Sequence, residues 1–267
     1  MAVEPPAPSE SAPSAAEPLT VHAPSPPVLV TAPQPEAEPL EVPAASAEIV
    51  NAMDRWESDK DLDAGRHPGE LLAYLGLERG MRVAEIVAGS GYTTELLARS
   101  VGGSGRVWAQ NPPAVLKFAG RQYAERLDKG VMQNVVRVDR PTDSPLPPDA
   151  QNLDAVVMVL AYHDAVWLGV DRTALNKAVF DALKKGGEYV IVDHSAAPGH
   201  GTRDVKTLHR IEEATVRREV LDAGFEDAGS ADFLRNAQDP RDWNDSPASA
   251  GDRRGTSDRF VLKFVRP

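Results

Sequence analysis

The stretch Val83-Ala84-Glu85-Ile86-Val87-Ala88-Gly89-Ser90-Gly91-Tyr92-Thr93-Thr94-Glu95-Leu96-Leu97 constrains this chain more than any other. An apolar run breaks on two glycines and passes into a helix-compatible segment. That succession predicts strand, tight turn and helix, the opening unit of an open α/β sheet. Glycine at a strand's carboxyl end lets a ligand approach the backbone closely, because no Cβ intervenes. The first amides of the following helix would then face a nucleotide-like group. The spacing excludes the dinucleotide fingerprint G-x-G-x-x-G. With its second glycine set on Gly89, Val87 and Tyr92 stand where the other two belong.

Downstream, the alternation of strand and helix continues. Gly102 to Gly105 is a turn, and Arg106 to Asn111 reads as the second strand. Val115, Phe118, Ala119, Gln122, Tyr123 and Leu127 outline a helix, and Asn134 to Val138 is the third strand. Leu153 to Leu160 is an apolar run broken only by Asp154, as expected of a central strand buried on both faces. Leu175, Ala178, Val179, Ala182 and Leu183 form one helical face, which Lys184-Lys185-Gly186-Gly187 should end. Tyr189 to Val192 is the fifth strand, and a helix is expected from Val205 to Ala223. Arg259 to Val265 alternates like a strand pairing antiparallel at one side of the sheet. The expected fold is an α/β, open seven-stranded Rossmann-like sheet, mostly parallel with an antiparallel last strand, helices on both faces. Asn236 to Ser257 is left as a long polar loop, of the length that is functional or disordered.

At 267 residues the chain suits one domain with a tail. Residues 1–45 hold 12 of the 23 prolines and six glutamates, with no lysine or arginine. Such a segment buries too little apolar surface to offset its ordering entropy. Residues 1–46 are therefore expected to be a disordered Pro/Ala/Glu-rich tail, and 47–267 the folded domain. The net charge of −11 argues against a general nucleic-acid or anionic-membrane surface. Absence of cysteine excludes disulfides and thiolate metal sites. No apolar run approaches the roughly 20 residues of a membrane span. The amino terminus lacks the basic start and apolar core of an export signal. A cytoplasmic location is the default, and a periplasmic or envelope-tethered one the alternative if Met1 follows a removed signal.

Glu85-x-x-x-Gly89-x-Gly91 resembles the first motif of the class I S-adenosylmethionine-dependent methyltransferases. The Leu183-Lys184-Lys185-Gly186-Gly187 passage resembles the same family ahead of its fifth strand. Asp193-His194-Ser195, Leu208-His209-Arg210-Ile211-Glu212 and Arg254 to Phe264 are similar to a little-characterised bacterial branch of predicted methyltransferases. The resemblance runs from about Asp54 to the end. It implies that S-adenosylmethionine lies over Glu85, Ala88, Gly89 and Gly91. It implies ribose contact at the end of the second strand, where an acid is usual and Asn111 stands with its amide. It places Asp139 near the adenine, Tyr162 beside the cofactor, and His163 and Asp164 facing the transferable methyl. His194 falls on the same sheet edge, so His163 or His194 is the candidate general base. Arg66 and His67 lie in a segment that crosses the cofactor mouth in such enzymes, or are surface residues. The expected acceptor is a small molecule, enclosed by residues 54–68 and 196–210. Two alternatives stand. Val87 in a glycine position and the missing strand-two acid would suit a cofactor-degenerate, non-catalytic binding protein. His163, Asp164, His194 and His209 would suit a first-row metal, although the principal reading holds none.

Overall fold

Alternate residues along the inner strands feed two separate layers of core. On one face, Ala84, Ile86, Val156, Met158, Tyr189, Ile191, Leu262 and Phe264 pack with Leu175, Val179, Val216 and Val220. On the other, Val83, Val107, Ala155, Val157, Val190, Val192 and Val261 pack with Leu71, Leu75, Leu97 and Val101. A sheet buried on both faces needs helices on both faces, and the element order supplies them. The structure is a computed structural model that describes residues 40–267; the expected tail lies outside the described residues as far as residue 39.

The elements are α1 (Ala44–Val50), α2 (Glu57–Arg66), α3 (Pro68–Leu75), β1 (Arg82–Ile86), α4 (Tyr92–Val101), β2 (Arg106–Asn111), α5 (Pro113–Leu127), β3 (Val135–Asp139), β4 (Leu153–Val159), α6 (Tyr162–Trp167), α7 (Arg172–Ala182), β5 (Leu183–His194), α8 (Val205–Leu208), α9 (Glu213–Asp222), β6 (Glu226–Ala231) and β7 (Arg259–Val265). The sheet order is β3-β2-β1-β4-β5-β7-β6. The β1 to β5 pairings are parallel, and β7 runs antiparallel to both β5 and β6. Strand order reverses between β1 and β4, which opens a crevice at their carboxyl ends, where open α/β sheets bind ligands.

Three local expectations change. The chain is already helical from Ala44, and Val42 covers Gly69 ahead of it. α7 stops at Ala182, and Lys184 to Gly187 belong to β5. The helix expected over 205–223 is two helices, broken at His209, whose φ is 60°. Ile211 is responsible for that break. It leaves the helix to form a parallel bridge with Ser195, its N–H bonding the His194 carbonyl at 3.0 Å and its carbonyl taking Ala196 N–H at 2.9 Å. Among the described residues no helix is long and apolar enough to cross a membrane.

Candidate active site

The turn after β1 carries three residues at positive φ: Val87 (59°), Gly89 (60°) and Gly91 (84°). A β-branched residue in that region is strained, so the surroundings must hold it. The side-chain carbonyl of Gln110 accepts Val87 N–H at 3.0 Å, and its backbone carbonyl accepts Ala88 N–H at 2.8 Å. Asn111 clamps Gly89 at both ends, accepting its N–H at 2.8 Å and donating to its carbonyl at 3.0 Å. This corrects the expectation for Asn111. Its amide is fully buried and spent on the turn, so it positions Gly89 instead of reaching a ribose. The valine thus keeps the backbone course that a glycine would take.

The two glycines are required for different reasons. A Cβ at Gly91 would lie 2.9 Å from Arg126 Cδ. Arg126, fully buried, donates to the Ser90 carbonyl at 2.8 Å, to both oxygens of Asp59 at 2.6 and 2.9 Å, and to Glu95 at 2.7 Å. It therefore ties the turn to α2 and α4. A Cβ at Gly89 would meet nothing, because it would enter an open cavity.

That cavity, of about 960 Å³, lies at the carboxyl edge of the sheet, within the size range of small-molecule sites. Glu85, Ala88, Gly89 and Arg66 line one end; Asp164, His194, His209 and Asp245 line the other. Its roof joins α2 to the loop before β7. Gly65 and Gly255 pack backbone to backbone, and Arg259 donates to both their carbonyls. Asp63 fixes α2 further, accepting from Arg55 at 2.7 and 2.8 Å and from the Tyr92 hydroxyl at 2.6 Å. The wall expected from residues 196–210 is mostly supplied by Asp245 to Ala248 instead. A second cleft of about 720 Å³, between Ile49, Leu77, Arg79 and Asn134, opens at the amino-terminal edge and lacks any such convergence of glycine turn and acid–base groups.

Glu85 is buried and takes a hydrogen bond from the Thr94 hydroxyl. Burial pushes its pKa up to about 7, against the pull of Thr94 and Arg66. The folded state therefore holds this proton between its ordinary value and pH 7, where the unfolded chain has released it. Stability is fully present below that window and falls as pH rises through it. The ligand-free protein is expected to lose roughly 3 kcal/mol of unfolding free energy between pH 4.5 and 7.5 relative to Glu85→Gln. Urea titrations of both proteins across that range measure the difference. Arg66 stacks on the Tyr92 ring at 4.4 Å and meets no carboxylate at ion-pair distance among the described residues.

Two sequence-predicted cofactor residues point elsewhere. Asp139 is exposed, pairs with Arg137 at 2.8 Å, and does not line the cavity. Tyr162 is fully buried on the far face, its hydroxyl donating to Glu219 at 2.9 Å and accepting from Asn176 at 2.9 Å. Tyr162 opens α6, and its side chain enters the α7–α9 core layer, while the next residue turns to the sheet edge.

His163, the next residue, is also fully buried, and Asp193 holds it. Asp193 accepts the His163 backbone N–H at 2.8 Å and sits 2.6 Å from Nδ1; it also accepts His194 N–H at 2.7 Å. Burial lowers the His163 pKa, but the Asp193 carboxylate outweighs it and the net direction is up. The other ring nitrogen, Nε2, lies 2.9 Å from His209 Nε2. His163 thus stands behind the cavity wall, with both nitrogens engaged. His194 is different. Asp245 lies 2.5 Å and Ser257 Oγ 2.9 Å from its Nδ1, the first contact shorter and the second better aligned. Nδ1 therefore carries the hydrogen, and Nε2 has no hydrogen-bond partner among the described residues. Burial lowers the His194 pKa, so the ring is neutral near pH 7.

Asp245, Ser257 and Arg66 complete the site, and the sequence reading did not assign Asp245 or Ser257. The one signal was the long polar loop 236–257. Buried Arg210 fixes it by donating to Asp239 at 2.6 Å and to the Trp243 carbonyl at 3.2 Å, and Asp245 N–H bonds the Leu208 carbonyl at 3.1 Å.

With this geometry in place, the likeness to known proteins can be located. The sequence profile of the protein-L-isoaspartate(D-aspartate) O-methyltransferase family matches residues 58–139, from α2 through β3. A ubiquinone/menaquinone biosynthesis C-methyltransferase, UbiE, from Idiomarina loihiensis is 30% identical over 120 residues, which is 45% of this chain and 45% of that protein. The match thus spans about half of each. Among solved structures, a SAM-dependent methyltransferase from Aquifex aeolicus superposes with a TM-score of 0.55 at 17% identity, over 83% of this chain and 98% of its own. The glycopeptide N-methyltransferase MtfA, complexed with sinefungin, gives 0.51 at 15% identity over 81% and 90%. Sheet order, glycine turn and sequence matches agree: the chain has the class I S-adenosylmethionine-dependent methyltransferase fold, and from α2 through β3 its sequence is similar to that of such enzymes.

Proposed function

We propose that this chain transfers a methyl group from S-adenosylmethionine to a small-molecule acceptor. The observation that carries the reading is one cavity with a glycine cradle and an oriented histidine–aspartate pair in its lining. The residues suit the cofactor. Gly89 leaves room for it, Glu85 offers a carboxylate to its ammonium group, and Arg66 offers an unpaired guanidinium to its carboxylate. When bound, S-adenosylmethionine supplies an activated methyl group on a sulfonium.

The chain's own part is alignment, exclusion of water and proton removal. The roof from α2 and the Gly255 loop covers part of the cavity. His194 is the group placed to take a proton from a weakly acidic acceptor. Its Nδ1–H is fixed by Asp245 and Ser257, which leaves the Nε2 lone pair for the acceptor. Asp164 lines the same end. His163, enclosed behind the wall, positions its neighbours instead of meeting the acceptor. The cofactor-degenerate alternative rested on Val87 and on the missing acid at the end of β2; the positive φ of Val87 removes the first of these supports.

A small acceptor agrees with the cavity's volume of about 960 Å³ and with a net charge of −11, which disfavours nucleic acid. The names of the similar proteins point to a quinone precursor and to a protein carboxylate. The family match stops at residue 139, before β4 and β5 bring in the acceptor end. The test is incubation with methyl-labelled S-adenosylmethionine and separated metabolite, protein and RNA fractions. Label is expected in the metabolite fraction, and label confined to protein or RNA would contradict the acceptor class.

A further inference from the structure

We propose that His163, Asp164 and His209 form a binding site for a divalent first-row transition metal, with Asp193 as its outer partner. Three donor atoms converge here. His163 Nε2 lies 2.9 Å from His209 Nε2 and 3.4 Å from Asp164 Oδ1, and all three ligand atoms fall within 4.8 Å of one another. Ligands about 2.1 Å from a common ion subtend about 90° across the first separation and about 110° across the second. Both angles belong to ordinary coordination geometries.

The hydrogen-bond inventory points the same way. The Asp193 carboxylate at 2.6 Å fixes the His163 hydrogen on Nδ1, which turns the Nε2 lone pair toward His209. Carboxylate, histidine and metal in line is the usual arrangement of a metal-bound imidazole, because the carboxylate sets the tautomer and raises the basicity of the ligating nitrogen. A set of two imidazoles and one carboxylate suits zinc, iron, manganese or cobalt.

The fold supplies the ligands deliberately. His163 comes from the first turn of α6 and Asp164 from the residue after it. His209 takes its left-handed φ at the α8–α9 break, where the Ile211 bridge to Ser195 directs the chain back to the β5 end. His209 and Asp164 line the cavity, so an ion there has open coordination positions facing the space beside His194. Taken with the methyl-transfer reading, on which this consequence rests, such an ion would hold an acceptor oxygen next to the base. The binding itself does not depend on that reading.

The experiment is titration of chelator-treated full-length protein with Zn²⁺ by calorimetry, and with Co²⁺ followed by visible absorption, without S-adenosylmethionine. One equivalent is expected to bind with a Kd of about 10 µM or tighter. His209→Ala and Asp164→Asn should each weaken binding by about 100-fold or more. Asp193→Asn should weaken it by about 10–100-fold. His200→Ala, at a histidine paired with Asp204 outside the cavity, should bind as the wild type does. Circular dichroism checks that each variant is folded; Asp164, one-third exposed, is the variant least able to disturb packing. Absence of saturable binding in the wild type below about 1 mM would overturn the proposal. So would unchanged affinity in folded His209→Ala and Asp164→Asn. S-adenosylmethionine affinity, measured separately, reports on the cofactor end and leaves this result independent.

Discussion

His194→Ala is expected to lower methyl transfer to the labelled metabolite fraction by about 10²–10⁴-fold, the usual contribution of a positioned general base. The expectation comes from three features of one ring. Its Nδ1 faces Asp245 and Ser257, its Nε2 has no partner among the described residues, and its burial keeps it neutral. Affinity for S-adenosylmethionine should change little, because Glu85, Gly89 and Arg66 line the opposite end of the cavity. Asp245→Asn should reduce turnover less, since Ser257 still orients the ring. A structural role predicts the same loss of turnover, so a further readout is needed. Added imidazole should restore part of the activity of His194→Ala, since a free base can enter the space the ring leaves. Full activity in the variant, or loss of cofactor binding with no rescue, would remove His194 from the chemistry.

Gly89→Val is expected to weaken S-adenosylmethionine binding by at least about 100-fold while the protein stays folded. Gly89 has φ 60° and nothing within 4 Å of the place a Cβ would occupy. A side chain there costs about 1–2 kcal/mol of backbone strain, and Val87 shows that this chain tolerates a β-branched residue in the same region. The added volume projects into the cavity, where the cofactor's methionine portion would have to sit. Gly91 offers a contrasting control. There a Cβ would press on Arg126, so Gly91→Ala is expected to lower the melting temperature as well. Wild-type cofactor affinity in a folded Gly89→Val would contradict the placement of the ligand.

The central sheet was legible because its strands announce themselves. Ala155 to Val159 and Tyr189 to Val192 are apolar throughout, and that pattern has one stable outcome in a doubly covered sheet. The glycine turn was legible for the same reason: few residues tolerate its backbone. Side-chain direction was not. Asn111 and Asp139 stand at strand ends as expected, yet one turns under the glycine loop and the other out to Arg137. Tyr162 and His163 are adjacent in sequence, yet one reaches Glu219 in the helical layer and the other Asp193 at the end of β5. Helical periodicity joined Val205 to Ala223, but the Ser195–Ile211 bridge, a contact between residues far apart in sequence, broke that helix and sent His209 into the site. Asp245 was hidden because no periodicity marks a loop residue. Its position depends on buried Arg210, whose partners Asp239 and Trp243 are about 30 residues away in the chain.

The most direct measurement of the central claim is calorimetric titration of the wild-type protein with S-adenosylmethionine. A single site at one equivalent is expected, lost in Gly89→Val and weakened in Arg66→Ala. Absence of binding by the folded wild-type protein would contradict the assignment of the Glu85–Gly91 turn as a cofactor cradle.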